Sequence, residues 1–159
     1  MSGTAGHNSL LNRQMLTIGV KYLLDAMFYI GILVTLSLPF SIKWIGQYYP
    51  PVIENYEETV IIYFVLGVAA LVLIRELRRI FTTVINEDCF VMENVVSLRK
   101  MGNWSFFIAL MSLVRSIVYL TVAMLVVILV FIIAGLFSKV LAMVFEEAVR
   151  YKEENDLTI

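Results

Sequence analysis

The chain has one cysteine, Cys89, and one histidine, His7. A single thiol excludes an intrachain disulfide and a metal site built of cysteines alone. His7 stands in a polar start rich in Gly, Ser and Asn, with no second histidine to join it at a metal. Charge is scarce as well: 16% of residues are charged, against roughly 25% in soluble domains. A net charge of −1 removes the global basic character that direct nucleic-acid binding requires. No phosphate-cradling glycine loop, HExxH, GxSxG or paired-cysteine motif occurs. Ser105, Ser112 and Ser116 have no histidine or other suitable base to accompany them. The expectation is a protein that is not an enzyme and carries no metal or cofactor.

Apolar sequence is what the chain has in excess. Hydrophobic residues make up 60%, against roughly 45–50% in soluble domains. Residues 104–145 form a 42-residue run in which Arg115 and Lys139 are the only charged side chains. As one helix this run would extend about 63 Å, roughly twice the ~30 Å hydrocarbon core of a bilayer. A soluble domain of this size has no interior able to hide it. The run reads as two membrane spans folded back on each other, with the turn inside residues 116–121.

The rest of the chain divides around that hairpin. Residues 1–14 are polar and small and read as a disordered tail. A single membrane domain follows over residues 15–159. Its first span, residues 22–42, lies between Lys21 and Lys43 and has Pro39 near its far end, where a kink is tolerated. The stretch is too long for a typical signal-peptide core, and no small-residue cleavage site follows it. Residues 47–58 form a loop with a rigid Tyr48-Tyr49-Pro50-Pro51 element and the acids Glu54, Glu57 and Glu58. Trp44, Tyr48 and Tyr49 suit an interfacial aromatic belt. The second span, residues 59–77, is short and recruits Tyr56 if it needs length. Asp88 then caps a short helix that carries Val91, Val95, Leu98 and Met101 at helical spacing, and Gly102 ends it. The last spans are residues 104–119 and 121–142, followed by a C-terminal helical extension over residues 143–159. The fold class is all-α: an integral membrane four-helix bundle with a short cytoplasmic helix between spans 2 and 3.

Lys and Arg set the orientation. Arg13, Lys21, Arg75, Arg78, Arg79, Arg99, Lys100, Lys139, Arg150 and Lys152 share one side, and only Lys43 and Arg115 belong to the other. Four spans place both termini and the middle loop on the basic, cytoplasmic side of a multi-pass protein.

Charges within spans are functional candidates by default. Asp25 either pairs with Lys21 one turn away or lines a polar path. Arg115 either snorkels to the outer headgroups or joins a buried ion pair. Arg75, Arg78 and Arg79 suit a topology anchor that touches anionic headgroups, or a dock for an acidic partner. Glu146 and Arg150 form an i,i+4 pair in the favourable order. Gly31, Gly67 and Gly135 offer close-packing points within the bundle or in a homo-oligomer.

The end of the chain is its most specific local signal. Glu153, Glu154, Asn155, Asp156, Leu157, Thr158 and Ile159 follow a helix that contains Glu146, Ala148 and Lys152. With Pro39, the Tyr49-Pro50 pair, Cys89-Phe90, Asn94 and Leu98-Arg99, this pattern resembles the YoaS-like family over residues 21–159. Those proteins are small four-span bacterial membrane proteins classed as a domain of unknown function. The outer loop between the last two spans, often longer in that family, is nearly absent here. The resemblance implies a bacterial cell-membrane protein with a small helix-turn-helix regulator as cytoplasmic partner, and no enzymatic activity. Residues 153–159 with Phe90, Asn94 and Arg99 are the candidate partner-binding set. The tail either docks a partner or packs against the helix over residues 86–102. Beside this regulatory or scaffold role stand a transport or channel component, for which only Asp25 and Arg115 could line a path, and a self-immunity protein.

Overall fold

A computed structural model of the chain describes residues 3–48, 55–86, 89–118 and 120–157, with backbone alone for 3–14, 118 and 157. Among them are four long helices: α1, Gly3–Gly46; α2, Tyr56–Ile85; α3, Met92–Val118; and α4, Val122–Leu157. Each packs on its neighbour in sequence, and the α3–α4 pair makes the most extensive contact. The chain is all-helical.

Several boundaries differ from the sequence expectation: α2 begins at Tyr56, inside the expected 47–58 loop, and runs to Ile85, past the expected end of the second span at 77. Residues 1–14 are expected to be a disordered tail, but α1 already begins at Gly3. No proline interrupts this stretch, and extending an existing helix costs far less than nucleating one. The helix expected to stop at Gly102 and the span expected to start at residue 104 are one continuous helix, α3. Gly102 does not cap. It lies at a close crossing with α4, where an added Cβ would sit 3.0 Å from the Lys139 Cγ and 3.2 Å from the Gly135 carbonyl oxygen. Glycine is needed there for approach, not for a left-handed turn.

Other local features follow from named residues. Pro39 lies inside α1, and the Tyr56 hydroxyl donates to its carbonyl at 2.9 Å, tying the first turn of α2 to α1. Glu57 and Glu58 sit in that same first turn, where the helix dipole favours acids. α3 ends at Val118 and α4 begins at Val122. Thr121 caps α4: its hydroxyl and its carbonyl both accept from the Met124 N–H. Tyr49, Pro50, Pro51, Glu54, Asp88, Thr158 and Ile159 lie outside the described residues.

The helices cross through their small residues. A Cβ on Gly31 would meet Leu71 of α2, one on Gly67 would meet Thr35 of α1, and one on Gly135 would meet the Phe106 ring of α3. All three glycines therefore serve packing within the chain.

Polar and apolar surfaces are reversed relative to a soluble fold. Thr35, Thr59, Ser105, Ser112, Arg115, Ser116 and Ser138 are buried, while Phe40, Leu110, Ile117, Leu129, Ile133 and Phe137 are exposed. Soluble monomers rarely expose contiguous apolar patches beyond a few hundred Å². α1 over Met15–Gly46, α2, and α4 over Val122–Asp156 are each long and apolar enough to cross a membrane. α3 is outside that set. Its apolar part is shortened by Arg99, Lys100 and Asn103 at one end and by Arg115 and Ser116 at the other.

Among the described residues, a cluster of buried hydrophobic side chains forms at one end. Ile80 of α2, Val95 and Leu98 of α3, and Ala142 and Val149 of α4 are buried together, with Val84, Met101, Leu141 and Phe145 packed around them. This is the basic end of the molecule.

Candidate functional site

Two polar features occupy the basic end. The first is a cavity of about 390 Å³ between α1 and α2. Lys21 and Asp25, one turn apart on α1, form one wall; Arg75, Glu76, Arg78, Arg79 and Thr82 of α2 form the other. Asp25 does not pair with Lys21, the nearer cation in sequence. Its Oδ1 accepts from the Arg78 Nε at 2.5 Å, and the same guanidinium lies over the Phe28 ring at 4.7 Å. The ring face and the carboxylate together hold Arg78 in place. Glu76 is buried: one carboxylate oxygen stands 4.0 Å from the Lys100 Nζ, and the other has no hydrogen-bond partner among the described residues. Arg79 stands 3.6 Å from Glu93 of α3.

The second feature is the end of α4. Val149 is the last buried residue, and residues 150–156 are exposed. The helix therefore outruns its packing by nearly two turns. Glu153, Glu154, Asn155 and Asp156 are exposed on it, so they do not pack against the N-terminal half of α3. Leu157 is helical, and Thr158 and Ile159 lie outside the described residues. Next to this end, Met92, Met143, Glu146, Glu147, Arg150 and Glu153 line a groove of about 400 Å³. Glu146 pairs with Arg99 of α3 at 2.5 Å, not with Arg150. Arg150 turns instead to Glu147 and Glu154.

The remaining expected site residues separate by burial. Phe90 is half exposed and stacks on Phe145 at 5.4 Å. Asn94 is fully buried, and its amide donates to the Thr83 hydroxyl at 2.7 Å and the Cys89 carbonyl at 2.8 Å. It braces the α2–α3 connection and offers no surface. Arg115 does not snorkel outward and does not meet Asp25. It is buried and donates to Thr59 of α2 at 2.9 Å. The side chain turns inward, where α2 offers a hydroxyl at that level.

Sequence reasoning passed over Glu76, Lys100 and Thr59. Glu76 was legible as the one acid between Arg75 and Arg78. Lys100 and Thr59 carry no local signal, since their roles exist only across helices.

An all-helical chain whose helices include three apolar and long enough to cross a bilayer has the make-up of a membrane protein. The family is shown by comparison: residues 41–159 match the model described as protein of unknown function (DUF2975), and the chain belongs to that family. No curated protein and no solved structure matches the chain.

Proposed function

We propose that the protein is an integral membrane bundle of four spans that holds a basic cytoplasmic partner at the exposed end of α4. The YoaS-like resemblance gives the candidate class, a small helix-turn-helix regulator in a bacterial cell. The role is docking and regulation, not catalysis.

Membrane residence of α3 is supported by its reversed faces. Ser105, Ser112, Arg115 and Ser116 turn inward, and Leu110, Leu113, Val114 and Ile117 turn outward. Buried polar groups facing helix neighbours and apolar groups facing out suit lipid as solvent. The tight α3–α4 turn then lies on the outer side, and the Lys and Arg majority lies inside.

The observation that carries the docking role is the overrun of α4 beyond Val149. Burial within the chain does not explain those exposed turns. Glu153, Glu154 and Asp156 outnumber Arg150 and Lys152 by one acid there, and Met92 and Met143 give the adjoining groove adaptable apolar surface. A helix presenting acids beside such a groove suits a basic partner.

The test is a photo-crosslinking residue at Asn155 in intact cells, with mass-spectrometric identification of the adduct. One basic cytoplasmic protein is expected. Charge reversal by Glu153→Lys with Glu154→Lys should abolish the adduct while the chain stays in the carbonate-resistant membrane fraction. An adduct that survives charge reversal, or no adduct, would sink the docking role. Extraction of the wild-type chain by carbonate would sink the membrane reading.

A further inference from the structure

We infer that the cavity between α1 and α2 is a binding site for a phosphate group, presented by an anionic lipid headgroup or by a soluble phosphate compound. The inference rests on the membrane reading for its lipid arm only.

Charge balance is the first support. Four cations line the cavity against two carboxylates. Asp25 is engaged by Arg78, and Glu76 faces Lys100 from the α3 side. Lys21 and Arg75, one from each wall, have no acidic partner among the described residues. Both line a concave space of about 390 Å³, large enough for a phosphate and part of what it esterifies. The Thr82 hydroxyl also lines the space, and it donates its proton to the Arg78 carbonyl at 2.9 Å.

Preorganisation is the second. Arg78 is fixed by the Asp25 carboxylate and by the Phe28 ring, so it loses little further freedom on meeting an anion. Glu76 is held at the floor with one oxygen lacking a donor. A carboxylate there limits the excess positive charge and disfavours polyanions, which suits a single phosphate.

Depth is the third. The helical rise from Tyr56 to Arg75 is about 28 Å, close to the ~30 Å hydrocarbon thickness. A span beginning at Tyr56 delivers Arg75 to the opposite headgroup layer. Tyr22 and Tyr29 are exposed on α1 on either side of Asp25, as aromatic residues at an interface are.

The experiment uses the full chain, purified in a zwitterionic detergent. It is titrated with short-chain phosphatidylglycerol, with phosphatidylcholine of the same chain length, and with inorganic phosphate. Phosphatidylglycerol should bind at least tenfold more tightly than phosphatidylcholine. Lys21→Ala with Arg75→Ala should remove that preference, and Lys21→Arg with Arg75→Lys should keep it. Circular dichroism of each variant reports whether the helices persist. Binding of inorganic phosphate alone, lost in the same alanine variant, would support the site and assign it to a soluble phosphate compound. Equal binding of both lipids with no phosphate binding would overturn the inference, as would a preference unchanged in a folded alanine variant. None of these outcomes bears on the carbonate-extraction test of the membrane reading.

Discussion

The Arg115 guanidinium of α3 donates to the Thr59 hydroxyl of α2 at 2.9 Å, with both residues buried. These residues stand 56 apart in sequence, near the same end of the α2–α3 pair. A buried guanidinium needs acceptors, because an unmet charged donor away from water is costly. The contact therefore fixes how far α3 slides along α2.

Thr59→Val keeps the shape and removes the acceptor. It should lower stability by about 1.5–3 kcal/mol, the range for hydrogen bonds to charged groups. Thr59→Ser should retain more than half of the lost stability. Thermal unfolding of the detergent-purified protein checks both, and a Val variant as stable as wild type would remove the contact from the account.

The Asp25–Arg78 pair lies between a surface and a buried ion pair, with side chains 28% and 27% exposed. Solvent screening limits its worth, so a double-mutant cycle of Asp25→Asn and Arg78→Gln should give a coupling near 1 kcal/mol. The coupling should shrink as salt is raised from low to physiological strength. A coupling indistinguishable from zero would mean that the Phe28 ring alone holds Arg78.

Gly67 faces Thr35 so closely that an added Cβ would stand 2.9 Å from its Oγ1 and 3.1 Å from its Cγ2. Gly67→Ala should therefore cost about 1–3 kcal/mol from overpacking, despite the helix-propensity gain of alanine. Thr35→Ala removes both close atoms and leaves only the Cβ, at 3.5 Å. The double variant should recover at least half of the loss. No recovery would show that the helices part at this crossing instead of accommodating.

The α4 overrun predicts a separation of stability from exposure. Truncation after Tyr151 should change unfolding by no more than about 0.5 kcal/mol, because the described side chains it removes, residues 152–156, are exposed. Val149→Ala, two residues before that cut, should cost about 1–3 kcal/mol, since Val149 belongs to the core with Ile80 and Leu98. A truncation as costly as the core substitution would mean that residues beyond 151 pack on the bundle.

Helix existence was legible at each apolar run because run length and composition are local properties. Tyr56 opens α2, within the stretch that the sequence assigns to the 47–58 loop. The glycine crossings were visible as residues but not as partners, since whether they packed a bundle or a second copy depends on where the helices meet. Gly102 was misread as a stop because its C-cap preference is a local signal, and the nearby Gly135 backbone overrode it. Asn94 enters the candidate partner-binding set through the family resemblance, yet it is fully buried. Its burial follows from the Cys89 carbonyl and the Thr83 hydroxyl, which together satisfy its amide.

The sequence by itself determined that the chain is helical, that its apolar segments have lengths suited to a bilayer, and that most Lys and Arg gather at one end of them. These follow from residue type and spacing along one strand of chain. Only the tertiary structure decided that Arg78 takes Asp25 from Lys21, that Arg115 turns inward to Thr59, and that Lys21 and Arg75 line the same cavity. It also decided that α4 runs on past its last packed residue. Pairing of charges depends on separations through space, and a few ångströms between helices, set by Gly31, Gly67, Gly102 and Gly135, choose among partners that spacing along the chain leaves equal.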